Sequence, residues 1–367
     1  MASERGRTGQ PSRAGIVDVA RHAGVSVATV SRALRGMPNV SQATRSRVLR
    51  SAAELQYTAS PLASGLVTGR VRSVGVVLPY ASQWFFAEVI GGIEEALRDQ
   101  GYDLVLHVLA DERRRRDFFD SLPVRRRVDA LLVVGLPLDE RESEVLRGLG
   151  IPLACVAEPV PGLHSELVDN VAAGRTAVQH LLNLGHRRIA CIGGDMTGPE
   201  RYNLPGLRTR GYRQALDRAG IDPRSEWERN GDFTPQGGES AMTSLLSSVD
   251  PPTAVFCQSD EMAFGAFRAL RRSGLRYPQD ISVVGVDGHE LAEVFDLTTV
   301  AQPVAAQGAA AARWLIDRLD GHSRSEETDR PPEDDRPPGT DRPPEDVSLH
   351  PIRLVLRGST APAPDHR

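Results

Sequence analysis

The chain has 367 residues, 40% of them apolar, and a formal charge of −4. That length leaves room for a small module with one large or two medium domains behind it. No apolar run approaches the ~20 residues that span a bilayer, and the polar stretch Met1 to Arg13 lacks the apolar core of a secretory leader, so a cytoplasmic protein with no membrane partner is expected.

The charge is unevenly placed. Residues 1–70 hold ten arginines against three acids (Glu4, Asp18 and Glu54), a net +7, which leaves −11 for the remainder. A basic head on an acidic body suits a protein that grips phosphates at one end only. Every basic residue is arginine and none is lysine, which we read as codon bias. The three cysteines, Cys155, Cys191 and Cys257, each sit in an apolar, strand-like run. An odd, scattered count predicts buried reduced thiols, not disulfides or a metal site.

In chain order, residues 1–15 read as a disordered tail and 16–58 as a three-helix unit. Its first two helices are short and joined by a tight turn. Ala20 lets the second helix cross close by, and Gly24 supplies the positive φ between them. Ser26 caps the second helix. Val19, Ala23, Val25, Val30 and Leu34 can bury one seam. Val27, Ala28, Thr29, Ser31 and Arg32 then face outward, the way a helix-turn-helix presents its reading helix to the major groove. A third helix starts after the cap Ser41 and is expected to bury Val48, Leu49, Ala52 and Leu55. Residues 59–71 follow as a linker. Within it, 60–66 can form a short helix, capped by Ser60 with Pro61 in its first turn, too short to be stable alone in water.

From residue 72 short apolar runs alternate with amphipathic stretches. Strands are predicted over 73–78, 103–107, 130–134, 152–156, 188–193, 254–257 and 282–286, with helices over 87–100, 172–184, 210–219 and 261–273. This alternation predicts an α/β fold with parallel sheets. Seven or more such units exceed one comfortable sheet, so two similar lobes are expected over 72–362. Residues 321–346 interrupt that body. Asp-Arg-Pro-Pro recurs there at 329, 335 and 341, a Pro-rich, charged repeat expected to be a disordered loop insertion. A last strand is predicted at 352–356, and 363–367 form a tail.

Several motifs make the chain similar to the lactose-repressor/galactose-repressor (LacI-type) regulators. The most specific is Asp18-Val-Ala20, followed by Gly24-Val-Ser26-Val-Ala-Thr-Val-Ser-Arg32. Others are Asn39-Val-Ser41 with Thr44-Arg45, Thr68-Gly69-Arg70, Phe85-Phe86-Ala87-Glu88 with Gly92-Ile93, and His180 through Arg188. Gly211-Tyr212, Asp280 through Gly285 and Arg357 through Pro362 complete the set.

The resemblance implies a dimer or tetramer on a palindromic double-stranded DNA operator. A dimer is favoured, since no heptad tail follows Pro362. It implies two lobes like those of periplasmic binding proteins, with a small-molecule effector, a sugar or sugar derivative in most members, held between them. It makes 60–66 a hinge helix whose Leu66 wedges into the minor groove. It places Val27 and Ala28 at base-reading positions, where small apolar side chains offer only van der Waals contact. Arg32 can reach a guanine edge or a phosphate, and Ser26, Thr29 and Ser31 suit phosphate or base hydrogen bonds.

For the effector, the resemblance points to Arg208, Asp287, Phe233, Asp260, Trp84 and Phe85. The chain departs from the family pattern at Ser259-Asp260, at Ala157-Glu158 where an Asp is frequent, at Trp84 where proline is common, and at Ala59-Ser60. No cofactor or metal is expected. A periplasmic solute-binding protein would share the lobes but not the head. A dinucleotide enzyme would need G-x-G-x-x-G where this chain has Ile192-Gly193-Gly194-Asp195. No nucleophile–base pair or metal-spaced cluster is visible, and His180 and His186 read as a helix surface and its C-terminal turn.

Overall fold

The computed structural model describes residues 14–34, 37, 39–57, 70–194, 204–321 and 346–364. The expected disorder of residues 1–13, the hinge helix at 60–66 with its Leu66, nearly all of the Pro-rich insertion and the last three residues lie outside the described residues. The chain falls into two compact units, 1–72 and 73–367.

The first unit holds three helices, α1 (Ile16–Ala23), α2 (Val27–Leu34) and α3 (Gln42–Glu54). The Asp18 carboxylate accepts from the Gly15 backbone N–H at 2.9 Å, placing an acid at the positive end of α1. Gly24, at φ 62°, ends that helix in the left-handed region that glycine enters without cost. The Ser26 hydroxyl accepts from Thr29 N at 3.1 Å and caps α2, while Ser41 accepts from Thr44 N and caps α3. Val19, Ala20, Ala23, Val30, Ala33, Val48 and Ala52 form the core, with Val25, Leu34 and Leu55 packed at its edge. Leu49 corrects the expectation for α3, being 50% exposed. Positions 48, 52 and 55 repeat at helical spacing, whereas 49 lies about 100° around from 48.

The second unit begins with β1 (Ser73–Leu78), α4 (Trp84–Arg98), β2 (Asp103–Val108), α5 (Glu112–Ser121), β3 (Ala130–Val134), α6 (Glu140–Arg147), β4 (Leu153–Val156) and β5 (His164–Val168). It continues with α7 (Asn170–Asn183), β6 (Ile189–Gly193), α8 (Leu204–Arg218), β7 (Glu228–Asn230), α9 (Pro235–Leu246), β8 (Ala254–Cys257) and α10 (Asp260–Arg272). The remaining elements are β9 (Ser282–Asp287), α11 (Leu291–Val294), β10 (Thr298–Ala301), α12 (Val304–Gly321), β11 (Val347–His350) and β12 (Arg353–Val355).

Two six-stranded sheets result, in the orders β11-β5-β4-β3-β1-β2 and β12-β10-β9-β8-β6-β7. All pairings are parallel except β10 with β12. Parallel sheets need both faces covered, and each sheet has an apolar cluster on either side. The two lobes are not sequential halves. The chain leaves the first sheet between β5 and α7, returns between β10 and α12, and crosses a third time between β11 and β12.

Three helix pairs cross closely: α4 with α12, α7 with α8, and α9 with α10. Each partner supplies a glycine at the crossing, Gly92 and Gly308, Gly174 and Gly211, Gly238 and Gly265. A Cβ at Gly92 would stand 1.9 Å from the Ala305 carbonyl oxygen, so only glycine permits that approach.

The three cysteines are unpaired and buried. Burial pushes the thiols of Cys155 and Cys191 up to about 12, which keeps them unreactive. His186 sits at the C-terminal turn of α7, as expected, with its backbone N–H donating to the Leu181 carbonyl. It is buried, within 3.0 Å of the Thr253 hydroxyl, the Ser282 hydroxyl and the Ala361 carbonyl, and it ties the carboxyl-terminal segment to the second sheet. Among the described residues no helix is long and apolar enough to cross a membrane.

Candidate functional site

Two surfaces carry the predicted chemistry, one on each unit. On the head, Val27 is 41% exposed, and Ser26, Ala28 and Arg32 are exposed with it. Thr29 and Ser31 are half-buried. Ser26 is committed locally, because its hydroxyl caps α2 and lies 2.8 Å from the Thr29 hydroxyl. Arg32 lies back along its own helix, with Nε donating to the Ala28 carbonyl at 3.2 Å.

The body contains a cavity of about 630 Å³. Its walls come from the segments just after β1, β2, β3, β4, β7 and β8 and from the last residue of β9. These are the carboxyl ends of parallel strands, where open α/β sheets bind ligands. Phe85, Arg208, Phe233 and Asp287 all line it, so the fold gathers four of the six expected effector residues from both lobes.

Arg208 anchors the floor. It is 2% exposed. Its Nε donates to the Asn170 side-chain oxygen at 2.9 Å, its Nη1 donates to the Gln258 carbonyl, and Nη1 lies 3.6 Å from Asp287 Oδ1. Burial works against its charge, and Asp287, Asp260 and Glu158 work to keep it. Asp287 also accepts from Gln302 Nε2 at 2.8 Å. Burial raises its carboxyl to about 6 despite Arg208.

Trp84 and Asp260 lie off the cavity wall. The Asp260 carboxylate accepts from Gly288 N, His289 N and the Thr299 hydroxyl at 2.9, 2.9 and 2.7 Å. It holds the turn after Asp287 and is itself driven well above the ordinary carboxylate range by burial and by Asp287. Trp84 begins α4 in the first lobe. Its ring stacks on His289 of the second lobe and its Nε1 donates to the Glu290 carboxylate.

Glu158 is the site residue that the sequence reading noted only as a departure. It lines the cavity and is 7% exposed. Its Oε1 accepts from Leu204 N at 3.1 Å, and its Oε2 has no hydrogen-bond partner among the described residues. Burial raises it to about 7, with Leu204 N and Arg208 pulling the other way. Backbone strain concentrates here too. Ala157, Asp232, Phe233 and Asp287 all have positive φ, at 71°, 51°, 49° and 128°, in conformations that non-glycine residues adopt at a cost and that cluster at ligand sites.

A helix-turn-helix head and a two-lobed body with a cleft at its strand ends define a DNA-binding transcriptional regulator with a small-molecule site. Residues 15–60 match the model of bacterial regulatory proteins of the lacI family, and residues 178–360 that of the periplasmic binding protein-like domain. The transcriptional repressor CytR of Escherichia coli K12 is 38% identical over 316 residues, covering 85% of this chain and 92% of the relative. A cellobiose complex of the transcriptional regulator CelR is 32% identical, with a TM-score of 0.65 over 95% of this chain and all of that one. The lac repressor dimer bound to operator and the anti-inducer ONPF is 26% identical, with a TM-score of 0.78 over the same shares. The chain belongs to the lacI family of bacterial regulatory proteins.

Proposed function

We propose that this protein is a ligand-responsive transcriptional repressor acting in the cytoplasm on the nucleoid. As a homodimer it binds a palindromic operator, one head per half-site, with Val27, Ala28 and Arg32 toward the base edges. Ser26, Thr29 and Ser31 sit at the phosphates, with Ser26 also fixing the start of α2. A sugar or sugar derivative bound in the cleft shifts the balance between two lobe arrangements, only one of which lets both heads engage. The protein works by binding, without turnover.

The observation that carries this reading is the Arg208–Asp287 pair, both members buried at the cavity wall and 3.6 Å apart. Such a pair can clamp hydroxyls by charge-assisted hydrogen bonds. The cellobiose complex of a relative supports the carbohydrate class. The alternative is the same architecture with a nucleoside or other metabolite in a corepressor or activator role, favoured by the aromatic side chains of Tyr80, Phe85, Phe86 and Phe233 around the cavity, which suit a flat ring. A thermal-shift screen of sugars and nucleosides, followed by operator gel shifts with each hit, tests the proposal. A hit that stabilises the protein yet leaves operator binding untouched would remove the regulatory role, and turnover of a hit by the purified protein would make it an enzyme.

A further inference from the structure

The cleft is acidic as well as aromatic. Asp111, Glu112, Glu158, Asp232, Glu261 and Asp287 line it, against the guanidiniums of Arg115 and Arg208. Arg115 is already spent on a bidentate pair with Glu142, at 2.6 and 2.5 Å. Arg208 is fixed by Asn170, Gln258 and Asp287. Each cation thus already faces a carboxylate of the protein, so its positive charge is balanced before any ligand arrives.

Backbone N–H groups at helix starts are the other common seat for a phosphate. At α5 and α8 they are taken by the protein's own carboxyl groups, and at α9 and α10 by the hydroxyls of Thr234 and Ser259. Asp111 accepts from Arg114 N at 2.8 Å at the head of α5, and Glu112 adds a second acid in that first turn. Glu158 accepts from Leu204 N, the first residue of α8. Asp260 and Glu261 occupy the first turn of α10. The starts of α5, α8 and α10 thus bring the protein's own carboxyl groups to the cavity, and a phosphate there would meet acidic groups in a poorly solvated space.

One polar atom in this wall is left without a partner. Glu158 Oε2 is buried and accepts no hydrogen bond from any described residue. A buried carboxylate oxygen in that state costs about 1–3 kcal/mol or more until a donor reaches it.

We infer that the cleft selects an unphosphorylated ring compound that turns a hydroxyl or amine donor onto Glu158 Oε2, and that it rejects the phosphate ester of the same compound. This rests on the reading of the cleft as the effector site. Free sugars and free nucleosides share the required chemistry, an uncharged ring with donors on its edge. The aromatic side chains Phe85 and Phe233 flank the ring from opposite lobes. Glu158 sets specificity from the lobe opposite Arg208, in a chain where Ala157 cannot serve as an acceptor.

The test uses the full-length protein and matched pairs titrated by calorimetry: ribose against ribose 5-phosphate, cellobiose against cellobiose phosphate, and each common nucleoside against its 5′-monophosphate. The expected result is that one or more free compounds bind while the matching ester binds at least a hundredfold more weakly. Glu158→Ala should then weaken the bound compound by roughly tenfold to a hundredfold. Glu158→Gln, which keeps an oxygen for Leu204 N, should lose affinity while holding the wild-type melting temperature or better. An ester that binds as tightly as its parent overturns the inference, and so does a Glu158→Ala variant with wild-type affinity. If neither member of any pair binds, the effector reading of the cleft falls and the inference falls with it. If a free compound binds but leaves the operator complex unchanged, only the regulatory reading fails.

Discussion

The indole of Trp84 stacks on the imidazole of His289 with ring centroids 4.6 Å apart and planes inclined by 23°. Trp84 starts α4 in the first lobe and His289 follows β9 in the second, so the stack bridges the cleft. Phe264 meets the other side of the imidazole edge-to-face at 5.2 Å. His289 Nδ1 accepts from Leu291 N at 3.0 Å, and burial holds the imidazole below its ordinary value, which keeps it neutral. An aromatic pair of this kind contributes about 0.5–1.5 kcal/mol beyond its buried area. Trp84→Ala should therefore loosen the contact between the lobes and weaken effector binding by up to about tenfold. Calorimetry with the bound effector checks this, and wild-type affinity in the variant would show that the stack does not hold the lobes.

Arg32 is the only exposed cation on α2. With Val27 and Ala28 limited to van der Waals contact, Arg32→Ala should cost roughly 1–3 kcal/mol of operator affinity. Fluorescence anisotropy at physiological salt measures it, and an unchanged Kd would move the polar readout elsewhere on the head.

Glu158 makes a pH prediction. Its folded-state value, about 7, lies above the ordinary 4.5. Between those values the folded protein binds more protons than the unfolded chain, so stability falls as pH rises through that window. Below about 4.5 the group contributes no difference, and above about 7 its penalty is complete. Urea melts of the ligand-free protein at pH 5 and pH 7.5 should show a larger loss in wild type than in Glu158→Gln. Equal losses would mean that Glu158 is already ionised at pH 5.

Removing the Arg208 guanidinium leaves Asp287 buried beside Asp260 with no cation. Arg208→Met should abolish effector binding and destabilise the body by about 3–5 kcal/mol, the cost of breaking a buried pair on one side. Denaturant unfolding and the thermal-shift response read the two effects separately. A variant that keeps both stability and ligand response would displace Arg208 from the site.

At Gly211 a Cβ would lie 2.2 Å from the Val171 carbonyl oxygen and 2.7 Å from Arg175 N. These are backbone atoms of α7 and cannot swing aside. Gly211→Ala should push α7 and α8 apart and cost about 1–3 kcal/mol or more, although alanine is the better helix former. Calorimetric melting of the variant decides it, and a raised melting temperature would mean that the helices can separate freely.

The strands most legible in the sequence were the central ones. β1, β3, β8 and β9 are short runs dominated by Val, Leu, Ala and other apolar residues, with polar residues only at their ends, because a parallel strand buried on both faces must be largely apolar. The strands that escaped notice sit at or near sheet edges or carry polar work. β5 contains His164 and Glu166, whose side chains bond each other at 2.7 Å, and β7 is Glu-Arg-Asn. α12 also went unread, since its run of alanines carries little periodic contrast even though it covers the first sheet.

The site divides along the same line. Turn chemistry and helical spacing in residues 16–34 dictate a head with Val27, Ala28 and Arg32 outward, because caps and seams act over three or four residues and need no distant partner. Motif resemblance also placed Arg208, Asp287, Phe233 and Phe85 in one cleft. Three matters depended on tertiary structure alone. Glu158 becomes a buried, half-satisfied acceptor only because β4 ends opposite the start of α8. Asp260 becomes a brace for the Gly288–His289 turn because β10 brings Thr299 alongside it. Trp84 becomes a bridge between lobes because the chain crosses between the sheets three times. Each depends on residues tens to hundreds of positions apart meeting in a space with little water, and no local pattern encodes that desolvation.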